Sequence, residues 1–278
     1  MVKESFVING PSNKPIGLDQ TFVNDLDHSG VVVFCHGFKG FKDWGHFNKV
    51  AELFADAGFV FVKFNFSHNG TSPESPSDFV DLEAFGNNNF TLELDDLRVV
   101  MDWVENNDRS KGTGLPIFLM GHSRGGGIAV LKTHEDKRVE KLVTWAAVGD
   151  FGSRFVGDLN QFKEEGVYYI YNGRTKQEMP LYYQFYEDFI TNKNRLNVPH
   201  AAGKIQIPFL IIHGTGDEAV PCEDALSLHG SNSQSKLLLI EKAGHTFGAR
   251  HPFDESELPK DAMEVVNASI GFLLDKIR

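Results

Sequence analysis

The sequence predicts an α/β fold with a mostly parallel central sheet flanked by helices, interrupted by one inserted segment. Three observations carry this. Short apolar runs bounded by Gly, Pro or Asn alternate with amphipathic stretches, the pattern of strand–helix–strand units. Several runs are apolar at every position, as strands covered on both faces must be. The interval between the runs ending at Ala147 and beginning at Ile207 is far longer than a crossover connection requires.

The expected strands are Val31–Cys35, Phe59–Asn65, Pro116–Met120, Leu142–Ala147, Ile207–His213 and Leu237–Ile240. Weaker runs at Ser5–Ile8 and Thr21–Asn24 read as an antiparallel edge. Leu97, Val100, Met101 and Val104 recur at three- and four-residue steps, predicting a helix with Thr91 as N-cap and with Asp95, Asp96, Arg98 and Asp102 facing water. Further helices are expected at Phe47–Ala57, Gly126–Thr133, Cys222–Leu228 and Ala262–Leu274. The long interval holds all six tyrosines. Within it, Tyr168–Tyr171 and Arg174–Gln177 flank Asn172-Gly173, which suits a two-residue hairpin turn, and Tyr182–Ile190 reads as helix. The domain division is therefore a core of residues 1–150 and 204–278 with an inserted cap over 151–203.

Composition narrows the function. The chain has 278 residues, 41% of them hydrophobic and 24 of them Phe, enough for a large two-sided core. Its 38 acidic against 27 basic residues give a net charge of −11, which opposes neutralisation of phosphates and argues against a nucleic-acid partner. No apolar run is long enough for a signal peptide or a membrane span, so a cytoplasmic location with no membrane partner is expected. Cys35 and Cys222 cannot build a disulfide framework. The histidines lack the helical i, i+4 pairing of a zinc hydrolase and the cysteines lack ligand spacing, so no metal and no cofactor are expected.

The strongest chemical signal is Gly121-His122-Ser123-Arg124-Gly125, placed after one apolar strand and before a helical pattern. A Ser on so tight a strand-to-helix turn leaves no room for side chains two residues to either side, which both glycines satisfy. A Ser hydroxyl needs a base to take its proton, and the base needs an acid to orient it. His245, in Ala243-Gly244-His245-Thr246-Phe247 after the last strand, is the expected base; His251, His122, His213 and His229 are rivals. Asp217, in the Gly-rich loop after Ile207–His213, is the expected acid, with Asp150 and Glu218 as alternatives. His36-Gly37-Phe38-Lys39-Gly40 follows the strand Val31–Cys35, so the amides of Phe38 and Arg124 are candidates for an oxyanion hole. His36, Tyr169, Tyr171 and Tyr182 are candidate substrate contacts.

These blocks, with Lys42-Asp43 and Phe64 to Ser72, resemble the α/β-hydrolase superfamily across nearly the whole chain. The resemblance narrows to bacterial carboxylesterases of the feruloyl (cinnamoyl) esterase type. It implies a serine hydrolase acting on small carboxylic esters through an acyl-enzyme, with the hairpin of the insertion lying over the active site. A peptidase or amidase with the same triad, and a non-catalytic ligand-binding homologue, are the alternatives.

Overall fold

The computed structural model describes residues 1–11, 13–106, 114–155 and 157–275. Eight strands form one sheet in the order β1-β2-β4-β3-β5-β6-β9-β10. They are β1 (Val2–Asn9), β2 (Pro15–Phe22), β3 (Gly30–Cys35), β4 (Phe59–Phe64), β5 (Ile117–His122), β6 (Val139–Trp145), β9 (Phe209–Gly214) and β10 (Lys236–Ile240). From β4 to β10 every neighbour pair is parallel, whereas β1 and β2 form an antiparallel edge in the register Val2↔Phe22. Both strands are longer than the sequence predicts: β1 alternates burial along its length, and β2 buries the polar residues Asp19, Gln20 and Thr21, so neither shows a continuous apolar run.

The helices are α1 (Phe47–Asp56), α2 (Leu82–Gly86), α3 (Phe90–Asn106), α4 (Arg124–Glu135), α5 (Leu159–Glu165), α6 (Gln184–Thr191), α7 (Val198–Lys204), α8 (Cys222–Ser231) and α9 (Lys260–Leu274). Successive strand residues point to opposite faces, so Val31, Val33 and Cys35 join the core beneath α3 and α4, while Val32 and Phe34 join the core beneath α1 and α9. No helix among the described residues is long and apolar enough to cross a membrane.

Two expectations about α3 fail. Asn89, not Thr91, caps it, its Oδ1 accepting the Leu92 N–H at 2.8 Å. Asp96 does not face water; it is fully buried, with Oδ2 accepting the Ser67 N–H at 2.8 Å. Position 96 lies one turn from both buried Glu93 and buried Val100, and a helix stripe read from apolar letters alone hides such a residue.

The segment between β6 and β9 carries α5, the hairpin β7 (Val167–Asn172) and β8 (Gln177–Tyr182), α6 and α7. The hairpin is present, but its turn differs from the expected one. Asn172 pairs with Gln177, leaving a four-residue loop in which Lys176 takes the positive φ of 57°. Its N–H donates to the Asn172 carbonyl at 2.8 Å, and the Asn172 side chain accepts the Arg174 N–H at 3.2 Å. Asn172 thus closes the loop through its side chain instead of supplying a left-handed residue. Tyr182 ends β8, and the following helix begins two residues later than predicted.

Candidate active site

Ser123 sits between β5 and α4 with φ 59° and ψ −125°, a conformation that non-glycine residues adopt only where the surroundings impose it. Its N–H donates to the Trp145 carbonyl at 2.9 Å, and its own carbonyl accepts the N–H groups of Gly126 and Val148, both at 3.0 Å. Three backbone bonds of 3.0 Å or less, and a longer one from Gly127 N–H to the same carbonyl at 3.4 Å, therefore hold the strained turn. A Cβ on Gly121 would lie 2.2 Å from the Gly125 carbonyl oxygen, and one on Gly125 would lie 2.4 Å from the carbonyl oxygens of Cys35 and His36. The spacing read from the sequence is thus a backbone-packing requirement.

The loops after β9 and β10 bring Asp217 and His245 together. They are tied to each other by Thr215 N–H to the Ile240 carbonyl and Gly216 N–H to the Ala243 carbonyl, each at 3.0 Å. His245 Nδ1 lies 2.7 Å from Asp217 Oδ2. The other carboxylate oxygen accepts the N–H groups of Ala219 at 2.8 Å and Val220 at 2.9 Å. Burial pushes the Asp217 carboxyl up, but hydrogen bonds from His213, His245 and Val220 outweigh it and hold the group well below the usual carboxylate range. Neither Asp150 nor Glu218 reaches His245 among the described contacts; Asp150 accepts the Gly152 N–H instead.

Ser123 and His245 line one cavity of about 240 Å³ together with Gly37 and Phe38. Their side chains make no hydrogen bond to each other among the described contacts, and nucleophile–base bonds commonly close only when substrate is seated. The rival histidines are committed elsewhere. His122 Nε2 lies 2.9 Å from the His245 carbonyl oxygen, His213 Nε2 lies 2.9 Å from that of Val220, and His251 Nδ1 accepts the Gly45 N–H at 2.9 Å. Burial pulls His122 down to about 3, so it stays neutral and braces the backbone of residue 245.

Phe38 lines the cavity, and among the described residues neither its amide nor that of Arg124 donates to a protein acceptor. The Arg124 guanidinium turns away from the cavity and packs 4.0 Å from the Phe38 ring centroid, so the two residues whose amides are candidates also touch through their side chains. Arg124 pairs with buried Glu93 at 3.3 Å, and Glu93 also accepts from Asn88 at 2.8 Å. Glu93 gave no sequence signal, since a first-turn acid on a helix is ordinarily a solvated charge.

The candidate substrate contacts lie elsewhere. His36 is buried behind the cavity wall: Nδ1–H donates to the Gly37 carbonyl at 2.8 Å while Nε2 accepts from Phe66 N–H at 3.4 Å. Burial pulls it down to about 4 and keeps it neutral, so it braces the loop. Tyr169 and Tyr171 are more than half exposed on the hairpin, and the Tyr182 hydroxyl donates to Glu83 at 2.5 Å. Odd and even residues of a strand face opposite ways, and the hairpin reaches the cavity through Asn172 and Arg174. Trp44, Phe47, Lys39 and Thr246 also line it, the last two as neighbours of the predicted oxyanion loop and base. No group of three or more His, Cys, Asp or Glu side chains placed to hold a metal ion occurs among the described residues.

Among solved structures, the chain is similar to Est1E from Butyrivibrio proteoclasticus with ferulic acid bound, with a TM-score of 0.74, 18% identity, and coverage of 97% of this chain and 98% of that one. It is also similar to the esterase domain of a Rhodothermus marinus protein, with a TM-score of 0.66, 16% identity and coverage of 98% of each chain. Both likenesses are likenesses of fold. Lysophosphatidylserine lipase ABHD12 of Danio rerio is 24% identical over 229 residues, 80% of this chain. The chain spans about half that relative's length, 54% of it. Residues 27–166, which carry the Phe38 loop and the Ser123 elbow, match the family described as Serine aminopeptidase, S33. The protein belongs to this family of α/β-hydrolase serine hydrolases.

Proposed function

We propose that the protein is a carboxylic-ester hydrolase that works through a covalent acyl-enzyme on a small-molecule ester. Ser123 Oγ attacks the ester carbonyl carbon while His245 Nε2 takes its proton, and the amides of Phe38 and Arg124 receive the oxyanion. Collapse of the tetrahedral intermediate breaks the bond to the alkoxy oxygen, which leaves with the proton from His245. Water then attacks the acyl-enzyme by the same route in reverse, giving the carboxylic acid and free Ser123. Asp217, with its low-lying carboxyl, stabilises the imidazolium formed in each half. In this reading the insertion of residues 151–203 caps the site and shapes its substrate preference.

The observation that carries the proposal is the strained Ser123 opening into the cavity that also holds the Asp217-bound His245. The family description, a serine aminopeptidase, supports a serine hydrolase, and the esterase neighbours support the ester reading. The test is hydrolysis of p-nitrophenyl acetate and butyrate by the wild type and by Ser123→Ala, run beside a panel of aminoacyl amides. Ester turnover above the Ser123→Ala control supports the proposal; amide turnover without ester turnover replaces it with a peptidase. A fluorophosphonate probe should label the wild type at Ser123, and failure to label would leave only a ligand-binding homologue.

A further inference from the structure

Several buried or half-buried cations in this acidic chain have carboxylate partners. Lys42 and Lys63 meet Asp19 at 2.6 and 3.0 Å, Arg124 meets Glu93, and Arg154 meets Asp224 at 2.8 Å. Two cations on the wall of the Ser123 cavity, half-buried Lys39 and exposed Arg174, have none. Lys39 and Arg174 both line the cavity, and neither forms an ion pair among the described residues. Their polar contacts are long ones to backbone carbonyls: Lys39 Nζ to Tyr171 and Arg174 Nη2 to Ser77, each at 3.4 Å. Burial without a carboxylate pulls the Lys39 ammonium below its usual range.

The backbone adds an independent observation. Gly40 N–H donates to the Gly37 carbonyl at 3.0 Å, closing a four-residue turn in which Lys39 occupies the third position with φ 53°. That position in such turns favours Gly or Asn, and a long side chain there stores strain. Strained residues of this kind cluster at functional sites. Arg174 lies in the hairpin loop with its guanidinium carbon 5.2 Å from the Phe41 ring centroid, so an aromatic face packs against it.

We infer that Lys39 and Arg174 receive an anionic group of the substrate, a carboxylate or a phosphate, so that the cavity selects esters bearing such a group over neutral esters of the same shape. The inference rests on the ester-hydrolase reading of the same site. An arginine fork and a lysine point charge lining one cavity suit a shared anion.

The test compares kcat/KM for mono-(p-nitrophenyl) succinate and p-nitrophenyl 3-phosphonopropionate against neutral p-nitrophenyl pentanoate, and for 4-acetoxybenzoate against phenyl acetate. These arms separate carboxylate from phosphate chemistry and the acyl side from the alcohol side. At low salt an anionic ester should exceed its neutral match by about a hundredfold, the low end of what two hydrogen bonds to a charged group contribute together. That ratio should fall about tenfold in Arg174→Gln and in Lys39→Gly, each losing one such bond. Arg174→Glu should bring it below one. Lys39→Gly relieves the turn, so its folding is not at risk, and the ratio reads selectivity whatever happens to overall rate. Ratios at or below one on both sides of the ester, or ratios unmoved by these substitutions, overturn the inference while leaving the hydrolase intact. Absence of turnover above Ser123→Ala with every ester, together with absence of fluorophosphonate labelling, would instead remove the reading on which it rests.

Discussion

Gly37→Ala isolates the contact between the oxyanion-loop candidate and the nucleophile. A Cβ at residue 37 would stand 2.8 Å from Ser123 Cβ and 3.3 Å from its Oγ. Carbon atoms in contact sit about 3.5–4.0 Å apart, so one of the two backbones must retreat by roughly 1 Å. Neither yields easily. Ser123 is held by its backbone bonds, and the loop is held by His36 on one side and by Lys42 N–H to Asn65 Oδ1 at 2.6 Å on the other. Gly37 is not in the left-handed region, so the substitution acts through this contact and not through backbone preference. Phe38, whose amide is proposed to receive the oxyanion, is the next residue and must move with the loop. A 1 Å misplacement of such a group costs about 10²-fold in rate, or about 2.7 kcal/mol of barrier. Overpacking should also lower stability by about 1–3 kcal/mol. The assay is kcat/KM on p-nitrophenyl butyrate beside thermal melting. Gly271→Ala is the matched control: in α9, with nothing within 4 Å of the added methyl, it should raise stability by about 0.4–1 kcal/mol and leave turnover alone. A Gly37→Ala protein with wild-type turnover and wild-type melting would refute the seating of this loop on Ser123.

Further outcomes are expected from the buried charges. Asp217→Asn should keep the fold but lower kcat about 10⁴-fold, since an amide toward His245 Nδ1 favours the wrong tautomer; stopped-flow or steady-state turnover checks it. Burial pushes Asp96 up to about 7 in the folded protein, above its unfolded 3.8, so the folded state is the better proton binder and its stability falls as pH rises from about 4 to 7. Asp96→Asn should therefore match wild type in urea denaturation near pH 4 and exceed it at pH 8. His36 and His122 act in the opposite sense. Pulled to about 4 and about 3 from 6.5, they are protonated first in the unfolded chain, so they should cost stability as pH falls from 6.5 toward 4, by about 3 kcal/mol each. A melting temperature that does not drop over that window in the Asp96→Asn background would contradict this. Asp19→Asn should lower the urea-derived stability by about 3–5 kcal/mol, because it leaves Lys63, itself fully buried, with one carboxylate partner in place of two.

The parts of the site legible in the sequence are those where backbone geometry demands a residue type. The glycines around Ser123 are required by atoms 2.2 to 2.4 Å from an imagined Cβ, and the loops bearing Asp217 and His245 follow strands whose apolar runs are plain. The parallel strands were legible for the same reason. What escaped was decided by tertiary contact. Asp96 and Glu93 look like solvated helix charges until partners such as Ser67 and Arg124 cover them, and Tyr169 and Tyr171, candidates for substrate contact, stand more than half exposed on the hairpin. The hairpin turn was misassigned because Asn172 has two ways to make a turn, and only the pairing with Gln177 selects the side-chain one.

On the proposed reading, reaction and selectivity are carried by different stretches of chain. The bonds that fix Ser123, Asp217 and His245 come from the core strands, the loops that directly follow them and the first turn of α4, and most are backbone bonds that side-chain substitution cannot remove. A Cβ on Gly214 would meet the Ala243 carbonyl oxygen at 2.1 Å, so even the approach of the two loops is a main-chain contact. The insertion is attached differently. The hairpin and the start of α6 dock on the core through side-chain bonds such as Gln177 Nε2 to the Phe79 carbonyl at 3.0 Å and Gln184 Nε2 to the Asn88 carbonyl at 2.9 Å. Each is individually worth about 1 kcal/mol. Changes in the hairpin can therefore re-aim Asn172 and Arg174 over the cavity without disturbing the strained turn beneath them. That separation follows from where the hydrogen bonds lie, and it places substrate choice in the part of the molecule where the sequence is least constrained by the sheet.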